Sequence, residues 1–440
     1  MTEKSSARNT ILPTSYSRKK IILSSNNTHG EGNYEFDINN LVTRIEVIEN
    51  IENPGLEIIV SVGDTENYIE RLRLSGNEKI SLELERNAHY GNEKYSLEFR
   101  VIEVLNFVKE KRGLTTYQMR CVSPHILSNQ VVSKGNSFNG SVGQTIQKIC
   151  TSDLDIPLSK LEIDTATPQM TGVFPKIKPL SAINFLLINT FDDGTPYYFF
   201  ETFTNGIKFK SLKALIDQVP FDKYSIRETL SNNMESDKGY EEVRKRIVEM
   251  SSDYSVSKFT GLQQGAFTSK SHFFDIATKE KKEKTYTYSY DSSTSIESHK
   301  PFADLKRNNK IKEKNLTDFP DSKNFFFNLN SAAFNKTKNY YASLQDNVGK
   351  GYSHLENLEY QSHQILIPGD FRLNVGMVIE IEIPETRIES KAKETVNKVQ
   401  SGKYLVTNII HDLKTNEYMM RVTLKRNSSS VNLDIEESII

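Results

Sequence analysis

Phe99-Arg100-Val101-Ile102-Glu103-Val104-Leu105 and Tyr404-Leu405-Val406-Thr407-Asn408-Ile409-Ile410 are two apolar runs that each lead through a Lys-containing polar turn into a second run. That second run is Tyr117-Gln118-Met119-Arg120-Cys121-Val122 in one case and Tyr418-Met419-Met420-Arg421-Val422-Thr423 in the other. The two hairpins lie roughly 300 residues apart, a spacing of duplicated domains and not of a solenoid. Outward from them, Leu82-Glu83-Leu84-Glu85 has a counterpart in Ile379-Glu380-Ile381-Glu382, and Gly55 to Asp64 is echoed by Gly265 to Asp275. Any one match could be chance among alternating strands. Their shared order favours duplication.

The same alternation sets the domain boundaries. Residues 1–34 have low hydrophobicity and no sustained period, which predicts a flexible arm. Short alternating runs bounded by Gly, Asn or Pro, such as Arg44 to Glu49 and Ile80 to Glu85, predict an antiparallel β domain over 35–135. Val142, Ile146, Ile149 and Cys150 then recur at helical spacing after Gly140-Ser141, as do Leu180, Ile183, Leu187 and Phe191 after Pro179. With a hairpin signalled at Asn205-Gly206, residues 136–235 read as a compact α/β domain. A second β domain is expected to start over 236–290, to be interrupted by an irregular insertion at 291–358, and to resume over 359–427. Residues 428–440 read as a loose tail.

The balance of 56 Lys and Arg against 57 Asp and Glu leaves a formal charge of −1, so no global field draws the chain to nucleic acid or an anionic membrane. The polar start Met1-Thr2-Glu3-Lys4-Ser5-Ser6 lacks a secretory core and predicts a chain that stays in the cytosol where it is made. The apolar stretch Ala182 to Ile188 is far shorter than the ~20 residues a bilayer requires. Cys121 and Cys150 are the two cysteines, which excludes a disulfide scaffold and predicts small buried side chains. With 23 Phe, 20 Tyr and no Trp, the aromatic usage suits strands.

Several patterns resemble the baseplate hub proteins of contractile-tailed (myovirus) phages, the adaptors between tail tube and spike. They are Phe36-Asp37-Ile38-Asn39-Asn40-Leu41, the stretch Gly55 to Leu74, Pro179 to Leu186 followed by Tyr198-Phe199-Phe200-Glu201, and Gly402 to His411. Together they span roughly residues 35 to 427. The resemblance implies a mainly β fold with α+β parts: two similar antiparallel β-barrel domains flanking a small α/β domain and an irregular insertion. It further implies a homotrimer, three chains giving a ring of six barrels. One face of that ring would meet the hexameric tail tube protein and the other the trimeric tail spike protein, with further baseplate proteins around it and DNA passing through without specific binding. The expected location is the virion's tail baseplate, after assembly in the host cytoplasm. Two equivalent barrels in each of three chains would present a pseudo-sixfold surface from a threefold assembly.

Catalytic signatures are missing from the sequence. There is no HExxH pair, GxSxG elbow or Walker loop, so no catalytic, cofactor-binding or metal residue is assigned. His354 and His363 fit no zinc spacing. Asp192-Asp193-Gly194 and Pro368-Gly369-Asp370 read as turns. Lys279 to Lys284, followed by Tyr286, Tyr288 and Tyr290, mixes signs and reads as a solvated edge or protein contact before a nucleic-acid site. Period-two register puts Leu82, Leu84, Ile379, Ile381 and Ile383 in the cores and Glu83, Glu85, Glu380 and Glu382 on the opposite faces, as possible channel-lining carboxylates. The rival readings are a hub of a bacterial contractile injection system, a tail-associated cell-wall hydrolase and a receptor- or glycan-binding tail domain.

Overall fold

In a strand, successive side chains point to opposite faces, so a run with every second residue apolar buries one face of a sheet. The computed structural model of the chain describes residues 14–25, 34–69, 74, 76, 78–88, 91–109, 113–226, 237–253, 258–301, 313–330, 340–385 and 396–432. Its first unit contains β1 (Ser17–Ser25), β2 (Tyr34–Asp37), β3 (Val42–Asn50), β4 (Glu57–Asp64), β5 (Lys79–Ala88), β6 (Gly91–Lys109) and β7 (Thr115–Val122). They pair in the order β3-β4-β7-β6-β5-β1-β2. Ile45, Val47, Ile58, Val60, Ile80, Leu82, Val101 and Met119 have their side chains fully enclosed. Pairing across β6 is split: Gly91 to Arg100 pair with β5, and Arg100 to Lys109 pair with β7.

The polypeptide then changes from sheet to mixed structure with α1 (Pro124–Val131), β8 (Ser137–Ser141), α2 (Val142–Ser152), β9 (Leu161–Ile163), β10 (Gln169–Val173), α3 (Pro179–Ile188), β11 (Phe191–Asp192), β12 (Thr195–Thr202), β13 (Gly206–Ser211) and α4 (Leu212–Ile216). The side chain of Ser141 caps α2 by accepting from the Gln144 amide at 3.2 Å, and the helix buries Val142, Ile146, Ile149 and Cys150. Pro179 opens α3, where its missing N–H costs nothing. That helix buries Ala182, Ile183 and Leu186 and ends at Ile188, so Phe191, expected on its face, lies on β11 instead. These elements share a separate core, in which Phe138 stacks on Phe174 and Tyr197 on Phe209.

The second unit repeats the first. It uses β14 (Lys223–Ser225), α5 (Asp237–Arg244), β15 (Glu249–Asp253), and, after an intervening region, β19 (Gln361–Pro368), β20 (Val378–Glu382), β21 (Gly402–Lys414) and β22 (Tyr418–Arg426). Its order β15-β19-β22-β21-β20 matches β3-β4-β7-β6-β5 strand for strand. Even the irregularities coincide: β6 bulges between Val101 and Glu103, and β21 between Val406 and Asn408. The correspondence equates Phe99 to Leu105 with Tyr404 to Ile410, the pairing that sequence patterning suggests. It corrects two other matches by two residues, since Leu82 corresponds to Ile381 and Tyr117 to Met420. A shift of two preserves which face each side chain takes. The units are joined edge to edge, β3 to β21, in one thirteen-stranded sheet among the described residues.

Five expectations need revision. Gly265 to Asp275 is not the opening strand of the second unit; that role belongs to β15 and β19. Its residues form β16 (Thr268–Asp275), which joins β17 (Lys281–Thr287) and β18 (Asn324–Leu329) in a separate three-stranded sheet. That sheet therefore draws strands from both 236–290 and the 291–358 segment. The segment is also not irregular throughout, since besides β18 it holds a 19-residue helix, α7 (Tyr340–Leu358), which follows α6 (Lys258–Gln264) in helix order. The 136–235 domain loses Lys223–Ser225, which pairs with β20 in the large sheet. Finally, part of the supposed arm is ordered as β1, with Ile21 and Leu23 in the core, and Ser428 and Ser429 of the supposed tail are buried. Residues 1–13, 26–33 and 433–440 lie outside the described residues.

Candidate assembly surface

The junction between the units is built from residues that sequence patterning treats as ordinary strand. β21 pairs with β3 from Asn408 opposite Asn50 to Lys414 opposite Arg44. Arg44 holds Asp412 through two hydrogen bonds of 2.7 and 3.1 Å, and the bond to that carboxylate raises the guanidinium's pKa. Beneath it, wholly enclosed Glu49 accepts from His411 Nε2 at 2.8 Å and from the Val375 amide at 3.0 Å. His411 Nδ1 lies 2.7 Å from the Tyr418 hydroxyl. A buried network with each member partnered specifies register, because a slip of one residue would separate these buried polar groups from their partners.

A second polar centre ties unit to unit. Asp370 is 1% exposed and faces three guanidinium groups: Arg86 of β5 at 3.5 Å, Arg244 of α5 at 2.9 Å and Arg372 at 2.8 Å. Burial would raise its carboxyl pKa, but the hydrogen bond from Arg372 and the charge of Arg86 outweigh it and hold the group below the usual range. Arg244 also reaches Asp222 and Glu241, at 2.6 and 2.7 Å. The turn Pro368-Gly369-Asp370 is thus more than a turn. The missing signal was tertiary, because Arg86 is 284 residues away.

The four carboxylates expected to face a channel differ among themselves. Leu82, Leu84, Ile379, Ile381 and Ile383 are all buried, so the opposite faces carry the acids as the period requires. Glu83 is exposed. Glu85 departs from that pattern: it is 5% exposed, covered by β1 and held by Lys19 at 2.6 Å. Glu380 and Glu382 are part-exposed and share Lys223 of β14, at 3.1 and 2.6 Å. Each acidic strand therefore receives one lysine from the strand added at its outer edge.

Of the residues that could suggest catalysis, Asp192 and His363 have structural hydrogen-bond partners, whereas the buried Nε2 of His354 has none among the described residues. Asp193 and Gly194, with φ of 50° and 83°, form the two-residue turn between β11 and β12, and Asp192 accepts from Ser211 at 2.8 Å. His363 lies between Ser252 and Tyr404 at 2.9 and 3.0 Å. His354 is driven down to about 4 by burial and by Lys350. Cys121 and Cys150 are buried free thiols that burial pushes up to about 12. Among the described residues no group of three or more His, Cys, Asp or Glu could hold a metal ion, and no helix is long and apolar enough to cross a membrane. Lys281 to Thr287, from the mixed-charge run, form β17, whose Lys281 pairs with Glu283 at 2.7 Å.

No protein family matches the sequence, and no curated protein matches it. Solved structures do. The 43 kDa tail protein of prophage MuSo2 from Shewanella oneidensis superposes with a TM-score of 0.50 and 9% identity, over 93% of this chain and 99% of that one. The tail protein from Neisseria meningitidis MC58 gives 0.49 and 11%, over 94% and 97%. The E. coli c3393 protein, a component of the type VI secretion system with structural similarity to T4 bacteriophage tail proteins gp27 and gp5, gives 0.44 and 10%, over 89% and 75%. At such identities the likeness is one of fold, and the chain shares the fold of the MuSo2 tail protein over nearly the whole of both.

Proposed function

We propose that the chain is a noncatalytic baseplate hub subunit of a phage contractile tail, forming a homotrimeric ring that adapts a sixfold tail tube to a threefold spike. The observation that carries this reading is the internal repeat: two units with the same strand order and the same bulge, already joined edge to edge. Three such chains present six equivalent units. The shared fold with a prophage tail protein supports a place in the tail. Native mass spectrometry of the chain coexpressed with its spike partner should give three copies of each. A stable complex holding one or two copies of this chain would refute the ring, and peptidoglycan clearing by the purified chain would refute the noncatalytic reading.

Within that ring, Glu83, Glu380 and Glu382 are proposed to face the channel, where like charge keeps DNA phosphates from adhering. Glu83 corresponds to Glu382 in the repeat. Particles carrying Glu83→Lys with Glu382→Lys should assemble yet deliver DNA more slowly, and the slowing should be greater at low ionic strength, where attraction is less screened. Wild-type delivery in low salt would remove these residues from the lumen.

A further inference from the structure

Among the described residues, the repeat leaves two strand edges without the neighbour that their equivalents have. On β21, the edge from Asn408 to Lys414 is covered by β3 of the first unit. Its equivalent on β6, from Glu103 to Val108, pairs with no strand on that side among the described residues. Conversely, β3 uses its outer edge on β21, whereas its equivalent β15 is the last strand of the sheet, bound to β19 alone among the described residues. Among the described residues, each chain thus carries one unused edge of each kind.

Exposure shows what the missing neighbour does. In β21 the covered positions Ile409, His411 and Leu413 are fully enclosed. Their equivalents on β6 are more open: Val104, which matches Ile409, is half-buried, and Val108, which matches the half-buried Asp412, is 52% exposed, with Phe107 beside it 49% exposed. An open edge strand bearing apolar side chains is a template for pairing and is avoided unless it has an occupant. β15 offers the complementary polar edge, Glu249-Met250-Ser251-Ser252-Asp253.

We infer that the β6 edge of one copy of this chain pairs antiparallel with the β15 edge of the next copy, reproducing between chains the β21·β3 junction found within one. This rests on the ring reading above and assigns its interface. The internal register fixes the intermolecular one. Ile410 faces Ile48 and Asp412 faces Glu46; their equivalents place Leu105 opposite Asp253 and Val108 opposite Ser251. The extra residue between them is absorbed by the second bulge of β6, between Leu105 and Val108. The contact is heterologous, joining unlike edges, so it propagates from copy to copy and closes when the rotation returns to the start. Three copies then give six units joined by six junctions of one geometry, alternately within and between chains.

The test uses the full chain coexpressed with its spike partner. Leu105→Cys together with Asp253→Cys should, on mild oxidation, give covalent dimers and trimers on a non-reducing gel. Each single variant should stay monomeric, and the slipped pair Leu105→Cys with Ser251→Cys should cross-link far less. Native Cys121 and Cys150 are buried and do not compete. Hydrogen exchange on the wild type needs no substitution: amides of 103–108 and 249–253 should slow by roughly a hundredfold on assembly. If native mass spectrometry shows three copies but neither cross-link nor protection appears, the interface is wrong and the ring stands. Cross-linking by the Leu105→Cys single variant would mean like-to-like edges and also overturn it. If no trimer forms at all, both fall.

Discussion

The two units place different chemistry at the same backbone positions. In the first, Val47 on β3, Ile58 on β4 and Phe99 on β6 form an enclosed apolar set. Their equivalents in the second are Ser252, His363 and Tyr404, linked by hydrogen bonds of 2.9 and 3.0 Å. Tyr404 donates to the Gln400 carbonyl at 2.6 Å, so its oxygen accepts from His363 Nε2–H, and Nδ1 accepts from Ser252. Arg426 closes the cluster, its guanidinium 4.5 Å above the Tyr404 ring and bonded to Gln361 and the carbonyls of Ser401 and Val399. The difference follows from what each sheet must hold. The first unit joins β3 to β4 through residues 51–56, whereas the second spans 254–360 between β15 and β19. Those added segments bring backbone groups that need partners. Asn427 serves Ile296 and Thr294, and Ser428 accepts from Glu297. One copy is held by apolar filling, the other by hydrogen-bond geometry as well.

The strongest way to break the polar copy is at its charged centre. Asp370→Ala leaves Arg244 and Arg86 facing a buried site without its carboxylate. It should cost about 3 kcal/mol in urea unfolding, the low end for a broken buried pair, because Arg86 and one side of Arg244 lose their buried acceptor while Asp222 and Glu241 still hold Arg244. Arg372→Ala should cost far less, since Arg372 is 41% exposed and water replaces part of what is lost. Equal losses would mean that Asp370 acts through Arg372 and not through the link from β5 to α5.

His363 makes the copies differ in their response to pH. Burial, with the charge of Arg426 beside it, lowers its pKa from 6.5 to about 4. Between those values the unfolded chain binds the proton and the folded one does not, so stability falls as pH drops from 6.5 toward 4 and is unaffected above. The loss is on the order of 3 kcal/mol at most. Giving the second unit the first unit's residues, Ser252→Val with His363→Ile and Tyr404→Phe, should remove His363's share of that loss. His354, also lowered to about 4, adds its own loss over the same range, and carboxylates held low, against burial, by their cationic partners, such as Glu162 and Glu241, add to it toward pH 4. An unchanged slope in the triple variant would show that His363 is not the titrating group.

What the sequence discloses divides along the same line. The β6 and β21 runs are legible because apolar alternation is what their packing demands. β19 escapes because it opens with Gln361-Ser362-His363-Gln364, where polar side chains enter the core in place of apolar ones. α7 escapes because Gly349 and Gly351 lie within it. They sit where Tyr286 and Phe191 press on the helix, and an added Cβ would fall 2.5 Å from Tyr286 Cβ and 2.4 Å from a ring carbon of Phe191. β1 could have been found from Ile21 and Leu23, whose alternation is short and flanked by Lys19 and Lys20. The Asp370 centre could not, since only Arg372 is local and Arg86 and Arg244 come from distant elements. The apolar filling was visible, and the polar bracing was not.

The smallest expected effect concerns the lysines that β1 and β14 bring to the acidic strands. The two ion pairs have the same length, 2.6 Å for Lys19 to Glu85 and 2.6 Å for Lys223 to Glu382, yet their surroundings differ. Glu85 has a side chain 6% exposed, so Lys19→Met leaves a covered carboxylate that water reaches poorly, and should cost about 1–2 kcal/mol. Glu382 is 37% exposed and Lys223 52%, so Lys223→Met should change stability by no more than about 0.5 kcal/mol. Salt separates them further. The Lys223 effect should vanish at 1 M NaCl, where the screening length is about 3 Å, while the Lys19 effect persists because its cost is desolvation and not long-range attraction. Melting temperatures of both variants at low and high salt check this, and equal, salt-sensitive losses would mean that β1 leaves Glu85 as hydrated as Glu382.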